Sequence, residues 1–292
     1  MSTRIKTIEL FLALGFATAV GTQVLPTNAH ESDEMIESQA TTNYSLIAQG
    51  GEAGGEGGGE GGGEGGGEGG GEGGGEAGGM VDTGNPNVDY MTVLGLMKGH
   101  LNAAQELLAL KNYEQAEPHI GHPVEELYGE IATVLPQKGV KDFKPTLTQL
   151  HDLIQSAPDS PEVQTLLDES LASIDGAIAV IPKEQINSPE FVLDVMVEML
   201  KNAAAEYKAA IVNNQFVEVV EYQDSKGFVD YADQLYQTVA EQKSKADPEG
   251  HKTITDSLAE LKTAWPSIEP PKAPIKQPGE IQGLVSQIEF SK

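Results

Sequence analysis

The chain has 292 residues, with 45 Asp and Glu against 18 Lys and Arg, a net charge of −27 and no cysteine. Such an excess of acid keeps a protein soluble and argues against a nucleic-acid partner, whose phosphates need Lys and Arg. The lack of cysteine excludes disulfides, thiolate metal ligands and a cysteine nucleophile, so the hydrophobic core alone must hold the fold.

Residues 1–29 have the order of a secretory signal peptide. Two basic residues, Arg4 and Lys6, precede an apolar run over residues 8–20, and small residues ending at Ala29 suit a cleavage site. The run is shorter than the roughly 20 residues that a membrane-spanning helix needs. We therefore predict a mature protein that is periplasmic or secreted and does not itself span the membrane. An uncleaved N-terminal anchor is the alternative.

Residues 30–85 are predicted to form a disordered acidic linker. Between residues 50 and 79 the chain is nearly pure Gly, with a Glu at every fourth position. Glycine loses the most backbone entropy on folding, and this stretch has no side chains that could form a core. The regular carboxylates could collect cations weakly. A solvated spacer is the favoured interpretation, because an unstructured chain does not preorganise the oxygen ligands of a hard cation.

Residues 86–266 are predicted to form a helical bundle, because their apolar residues recur at spacings of three and four. Three helix starts share one pattern, a Ser or Asp followed by Pro and Glu, at residues 160–162, 188–190 and 247–249. The first side chain caps free N–H groups, Pro suits the first helical position and Glu complements the helix dipole. No stretch alternates with a period of two, so the predicted fold class is all-α, an antiparallel helical bundle.

The bundle also shows signs of internal duplication. Residues 103–107 align with residues 203–207 at an offset of one hundred. We therefore predict two three-helix pseudo-repeats, 87–156 and 188–266, joined by a linking helix. A chance similarity between amphipathic helices is the alternative, since all of them share one period.

Residues 267–292 are predicted to form a Pro-rich C-terminal tail. Four apolar residues near its end are expected to pack back onto the bundle: Ile281, Leu284, Val285 and Ile288. A docking peptide for a partner is the alternative interpretation.

A first candidate metal site lies in the first pseudo-repeat, which holds four of the six histidines. His119 and His122 are three residues apart, so they share a helix face, and Glu125 follows after three more. Helix packing could bring these groups together with His100 and His151. Nitrogen and oxygen ligands of this kind suit Fe, Zn, Cu or Mn. The alternative is that each histidine is structural.

A second candidate site lies in the second pseudo-repeat, where Glu206, Glu221 and Asp224 offer oxygen ligands in place of imidazoles. Oxygen donors favour ferric iron over copper. The alternative is an acidic, solvated helix face. The sequence has no phosphate-binding loop and no arrangement of a catalytic triad, so we expect no enzyme activity.

Two resemblances refine these expectations. Residues 206–210 and 221–224 are similar to the extracytoplasmic helical region of bacterial high-affinity iron permeases, a resemblance that covers about residues 87–292. His122-x-x-Glu125 also resembles a motif of imelysin-like iron-regulated proteins, although the flanking residues differ.

The permease resemblance implies an all-helical periplasmic domain linked to iron uptake, with an inner-membrane iron permease as a partner. The predicted function is thus a non-catalytic periplasmic metal-binding accessory protein in iron uptake or homeostasis. The alternatives are copper or zinc binding, or a structural or adaptor protein of the cell envelope that binds no metal.

Overall fold

The structure, a computed structural model, describes residues 82–292. The predicted signal peptide and almost all of the predicted linker lie outside the described residues. Within 82–292, none of the helices combines the length and apolar character needed to cross a bilayer.

Most of the described chain is helical. The helices are α1 (Pro86–Ala109), α2 (Tyr113–His122), α3 (Tyr128–Ile131), α4 (Val134–Gln137), α5 (Lys144–Ser156), α6 (Pro161–Ile178), α7 (Lys183–Ile186), α8 (Pro189–Ala209), α9 (Val219–Gln237), α10 (Ala240–Ala246), α11 (Pro248–Lys262) and α12 (Pro278–Phe290). A π-helix (Pro123–Leu127) lies between α2 and α3. Two short strands, β1 (Ile211–Val212) and β2 (Gln215–Phe216), pair antiparallel between α8 and α9. The predicted all-α helical bundle is confirmed.

Local sequence explains where several helices begin. The side chain of Ser160 accepts the N–H of Glu162 at the start of α6, and Asp247 accepts the N–H of Gly250 at the start of α11. Both capping residues are followed by a proline in the first turn. These two helix starts agree with the prediction from the shared Ser/Asp-Pro-Glu pattern.

The long helix α9 lies at the centre of the bundle. It packs against both α8 and α1, while α2 packs on α1 and α5. Most buried apolar side chains of these helices belong to one hydrophobic core that includes Leu94, Met97, Met196 and Phe228. A smaller cluster contains Ala103, Leu107, Ala116 and Ile268. Because α1, α2, α8 and α9 meet in this core, polar residues on their inward faces are brought close together. The pseudo-repeat stays a prediction.

The bundle extends further along the chain than residue 266. Helix α12 packs on α8 and α11 and buries Ile281, Val285 and Ile288. The apolar residues of the predicted tail therefore cover the core, as expected, but they do so as a full helix of the bundle.

The stretch from Ile120 to Leu135, whose apolar residues recur at helical spacing, is divided into several short helical segments in the structure. Pro118 lies inside α2, and Pro123 begins the π-helix, in which Tyr128 N–H bonds to the Pro123 carbonyl. Proline has no N–H to donate and its ring crowds the preceding turn, so the regular α-helical pattern is interrupted here.

Candidate metal centre

The carboxylate of Asp224, on α9, lies among three imidazoles. Its Oδ1 is 2.5 Å from His100 Nδ1 and 2.6 Å from His119 Nδ1. Its Oδ2 is 3.2 Å from His122 Nδ1, an ion-pair contact. The side chains of His100 and His119 are fully buried, Asp224 is 2% exposed and His122 is 16% exposed. We call these four residues the Asp224 cluster.

Two glycines allow α1 and α9 to approach closely enough to form this cluster. A Cβ atom at Gly227 would lie 2.3 Å from the carbonyl oxygen of Gly99, and one at Gly99 would lie 2.6 Å from Phe228 Cδ1. The neighbouring imidazole of His100 packs edge-on against the Phe228 ring, with centroids 4.8 Å apart. The glycine contact thus sets the helix separation at which His100 reaches Asp224.

Hydrogen bonds determine where the protons of His119 lie. An ionised carboxylate only accepts, so His119 presents Nδ1–H to Asp224. Its Nε2 is 2.8 Å from Gln223 Oε1, and the Gln223 amide nitrogen donates to Gln115 Oε1 at 2.8 Å. Both ring nitrogens of His119 are therefore in hydrogen-bond contact with oxygens of the protein.

The electrostatics of the cluster keep the carboxylate ionised. Burial acts to raise the pKa of Asp224, but the charges of His100 and His119 and their hydrogen bonds hold it well below its usual range. For His122, burial acts to lower the pKa, while the contact with Asp224 raises it, and the net shift is upward. The cluster is therefore a buried site of paired charges.

Two further carboxylates lie beside the cluster. Glu206, on α8, is 2% exposed and shares a hydrogen bond with Glu221, on α9. Burial and the negative charge of Asp224 raise the pKa of Glu221, although its hydrogen bond with Glu206 acts in the opposite direction. We call Glu206 and Glu221 the glutamate pair.

The two candidate sites of the sequence analysis are therefore adjacent. Asp224, which was assigned with Glu206 and Glu221 to a second site, instead contacts the histidines of the first. The pairing of His100 with Asp224 joins residues 124 positions apart in the chain, which spacing within one helix could not reveal.

His151 and Glu125 lie outside the Asp224 cluster. His151 Nε2 is 2.7 Å from Glu117 Oε1, and its Nδ1 is 3.8 Å from Glu125 Oε1. The side chain of Glu125 is 61% exposed, because the π-helix that begins after His122 breaks the α-helical spacing on which that prediction rested. Glu117 and Gln223 also contact these histidines, and no pattern in the sequence signals either residue.

The geometry of the cluster suits a metal ion. Potential ligand atoms of His100, His122 and Asp224 lie within 4.8 Å of one another. An ion about 2.0–2.1 Å from each nitrogen, with tetrahedral geometry, separates its ligand atoms by about 3.3 Å. The contact between His122 and Asp224, at 3.2 Å, already has this length. The contact of His100 with Asp224, at 2.5 Å, is a hydrogen bond that would need to open by roughly 0.8 Å.

Comparison with known proteins gives one match. Searches of curated proteins and of solved structures found no similar protein. Among protein families, residues 182–291 match the iron permease-associated 4-helix bundle domain. The four longest helices in that range are α8, α9, α11 and α12. The matched range therefore includes Asp224 and the glutamate pair, whereas the three histidines of the Asp224 cluster precede it. Over residues 182–291, the chain thus resembles the helical bundle associated with iron permeases, as its sequence led us to expect.

Proposed function

We propose that the protein is a non-catalytic, exported accessory protein of iron uptake or homeostasis that binds a metal ion at the Asp224 cluster. The observation that carries this proposal is a buried carboxylate in contact with three imidazoles. The cluster lies between the N-terminal helices and the part of the chain that resembles a bundle associated with iron permeases.

The cost of burying these groups supports a binding role. Charged and polar groups are expensive to remove from water unless they are paired, and hydrophobic residues of similar volume often stabilise a fold as well or better. Here one nearly fully buried carboxylate contacts His100, His119 and His122. His100, His122 and Asp224, whose ligand atoms lie close together, also offer the imidazole and carboxylate ligands that proteins use for transition metals.

The donor set narrows the choice of metal without fixing it. Imidazole with carboxylate suits Fe, Zn, Cu or Mn. The association of the matching family with iron permeases favours iron, and the same association makes an inner-membrane iron permease the partner that we propose. Copper and zinc are the alternatives that the ligand types permit.

One observation favours a structural role without a metal ion. The hydrogen-bond chain from Asp224 through His119 and Gln223 to Gln115 satisfies these buried groups with protein partners alone. In that case the protein would be a structural or adaptor component of the cell envelope, and the cluster would serve only to hold α2 against α9.

Metal binding by the purified, metal-free full chain tests the proposal. Calorimetry and native mass spectrometry with Fe(II) under anaerobic conditions, and with Zn(II), Cu(II) and Mn(II), should show stoichiometric binding. His122→Gln should weaken it strongly, whereas His151→Gln, a matched change outside the cluster, should not. Lack of stoichiometric binding of any of the four metals, or equal binding by both variants and the unaltered protein, would refute the assignment.

Elemental mass spectrometry of protein isolated from the cell envelope identifies the bound metal. We expect this protein to retain iron. Retention of zinc or copper in its place would overturn the link to iron but not the site.

A further inference from the structure

We propose that the site holds Fe(II) through three protein ligands, His100, His122 and Asp224, and keeps its remaining coordination positions open to small external ligands. His119 then acts as a positioning residue, which holds Asp224 without touching the ion. This inference rests on the proposed function and adds to it the ligand set, the oxidation state and the exchangeable positions.

The three ligands are set apart from His119 by their positions. Among residues 82–292, His100, His122 and Asp224 form a group whose potential ligand atoms all lie within 4.8 Å of one another. His119 is not in this group, although its Nδ1 is 2.6 Å from Asp224 Oδ1. The ring centroids of His100 and His122 are 5.0 Å apart, whereas those of His119 and His122 are 6.4 Å apart. An ion placed between the first two rings and the carboxylate would therefore lie away from His119.

Hydrogen bonding divides the histidines in the same way. Both ring nitrogens of His119 contact protein oxygens, Asp224 Oδ1 on one side and Gln223 Oε1 on the other. His122 Nδ1, by contrast, is buried and has no hydrogen-bond partner among the described residues, with Asp224 Oδ2 at 3.2 Å. A buried polar atom without a hydrogen bond costs free energy. An ion between this nitrogen and Oδ2 would use both atoms as ligands and remove that cost.

His119 is placed to hold Asp224 while the ion is bound. It contacts Oδ1, which leaves Oδ2 on the side of His122. On the other side of the His119 ring, Gln223 is itself held by the hydrogen bond from its amide to Gln115. Groups that lie behind the ligands orient them, and their loss typically lowers metal affinity about 10–100-fold. We therefore expect His119 to act on metal affinity through Asp224.

Three protein ligands leave the ion with open positions. Two imidazoles and one carboxylate are the set that non-haem Fe(II) sites use when they keep positions open for external ligands. Closed structural sites, such as those of zinc, surround the ion with four protein ligands instead.

The open positions are expected on the side of His122. Its side chain is 16% exposed, whereas those of His100 and His119 are fully buried. The site thus approaches solvent at His122, where water or another small ligand can enter. An ion with exchangeable positions can be passed on by ligand substitution, which suits an accessory protein that receives and releases iron.

Nitric oxide tests the open positions. The full chain is loaded with Fe(II) under anaerobic conditions and treated with nitric oxide, which forms a paramagnetic iron–nitrosyl complex where a coordination position is exchangeable. We expect the electron paramagnetic resonance signal of this complex in the unaltered protein and in His151→Gln, a change outside the cluster. Electron spin echo measurements on the same complex count the coordinated imidazoles, and His100 and His122 should be the only two.

Variants of His119 separate a positioning residue from a ligand. His119→Leu removes the contact with Asp224 and should lower the affinity for Fe(II) about 10–100-fold. In His119→Asn the amide nitrogen can replace Nδ1–H as the donor to Asp224, so this variant should recover most of the loss. Both variants should keep two coordinated imidazoles, whereas His122→Gln should not. Circular dichroism of the metal-free variants checks that they fold, and the imidazole count of the unaltered protein does not depend on them.

The outcomes separate this inference from the proposed function. Three coordinated imidazoles in the unaltered protein, or a count that falls in His119→Asn, would make His119 a ligand and overturn the inference while metal binding stands. Bound Fe(II) that forms no nitrosyl complex would overturn the open positions, and equal affinity in His119→Leu and the unaltered protein would overturn the positioning role. Failure of Fe(II) to bind would overturn the whole inference, and the titrations with the other metals would then decide whether the proposed metal site survives.

Discussion

Replacing Asp224 by Asn is expected to destabilise the metal-free protein by about 3–5 kcal/mol, the range for breaking a buried ion pair by removing one partner. The side chain is 2% exposed and accepts two short hydrogen bonds. Asparagine has nearly the same volume, so the change removes charge and acceptor capacity without creating a cavity.

The magnitude follows from the contacts. A hydrogen bond to a charged group contributes about 1.5–3 kcal/mol, and Asp224 makes two of them, to His100 and His119. The amide of Asn has only one acceptor oxygen. Its NH₂ group would take the place of the other carboxylate oxygen and would face an imidazole nitrogen. At least one buried imidazole therefore loses its partner.

Denaturation followed by fluorescence measures this effect. Trp265 is the only tryptophan in the chain. It is 6% exposed and donates from Nε1 to Ser225 Oγ, beside Asp224, so its emission should respond when α9 unfolds. The expected loss corresponds to a melting temperature lower by roughly 6–20 °C, at 2–4 °C per kcal/mol for a domain of this size.

Asp230→Asn is the matched control for Asp224→Asn. Asp230 also lies on α9, but it is 35% exposed, and its partner Lys226 keeps Glu106 as a second partner. Exposed ion pairs contribute about 0–1 kcal/mol. If Asp224→Asn changed the unfolding free energy by no more than Asp230→Asn, the cluster would not be a buried site of paired charges.

Two other predictions test the helix contact and a helix cap. Gly227→Ala should lower the free energy of unfolding in urea by about 1–3 kcal/mol and weaken metal binding, because the new Cβ would collide with Gly99. Its control, Gly176→Ala, lies in open space on α6 and should instead raise the free energy of unfolding by roughly 0.5–1 kcal/mol. Asp247 accepts the N–H of Gly250, and this bond holds its pKa below the usual range. The stabilisation is therefore complete above the unfolded value near 3.9 and is lost as the pH falls through the folded value. Asp247→Asn should accordingly flatten the acid side of the curve of unfolding free energy against pH, and an unchanged acid side would contradict this assignment.

The features that sequence predicted well depend on near neighbours in the chain. The Ser/Asp-Pro-Glu pattern at residues 160–162 and 247–249 predicts helix starts, because capping involves three or four consecutive residues. His119 and His122 were expected to share a face because they are three apart on one helix, and both contact Asp224 in the structure.

What sequence could not predict depends on packing between distant segments. The pairing of His100 with Asp224 is set by the glycine contact between α1 and α9, and neither glycine stands in a recognisable pattern. Glu125 was expected to join His119 and His122 at helical spacing, but the π-helix after His122 breaks that spacing and Glu125 is exposed. A prediction from periodicity assumes a regular α-helix, and the prediction fails where proline changes the helix type.

The ligands of the proposed site come from both sides of the boundary of the family match. Imidazoles from α1 and α2 precede residue 182, whereas Asp224 follows it. A cation bound by both sets can bind only when these segments are packed together, so it must stabilise the folded domain. The gain is about 2.7 kcal/mol at a free metal concentration of one hundred times Kd. Asp224→Asn should remove this gain in addition to its cost in the metal-free protein, because the residue contacts every imidazole of the cluster. The difference in stability between the unaltered protein and Asp224→Asn should therefore widen when metal is added, whereas a purely structural cluster would keep it constant.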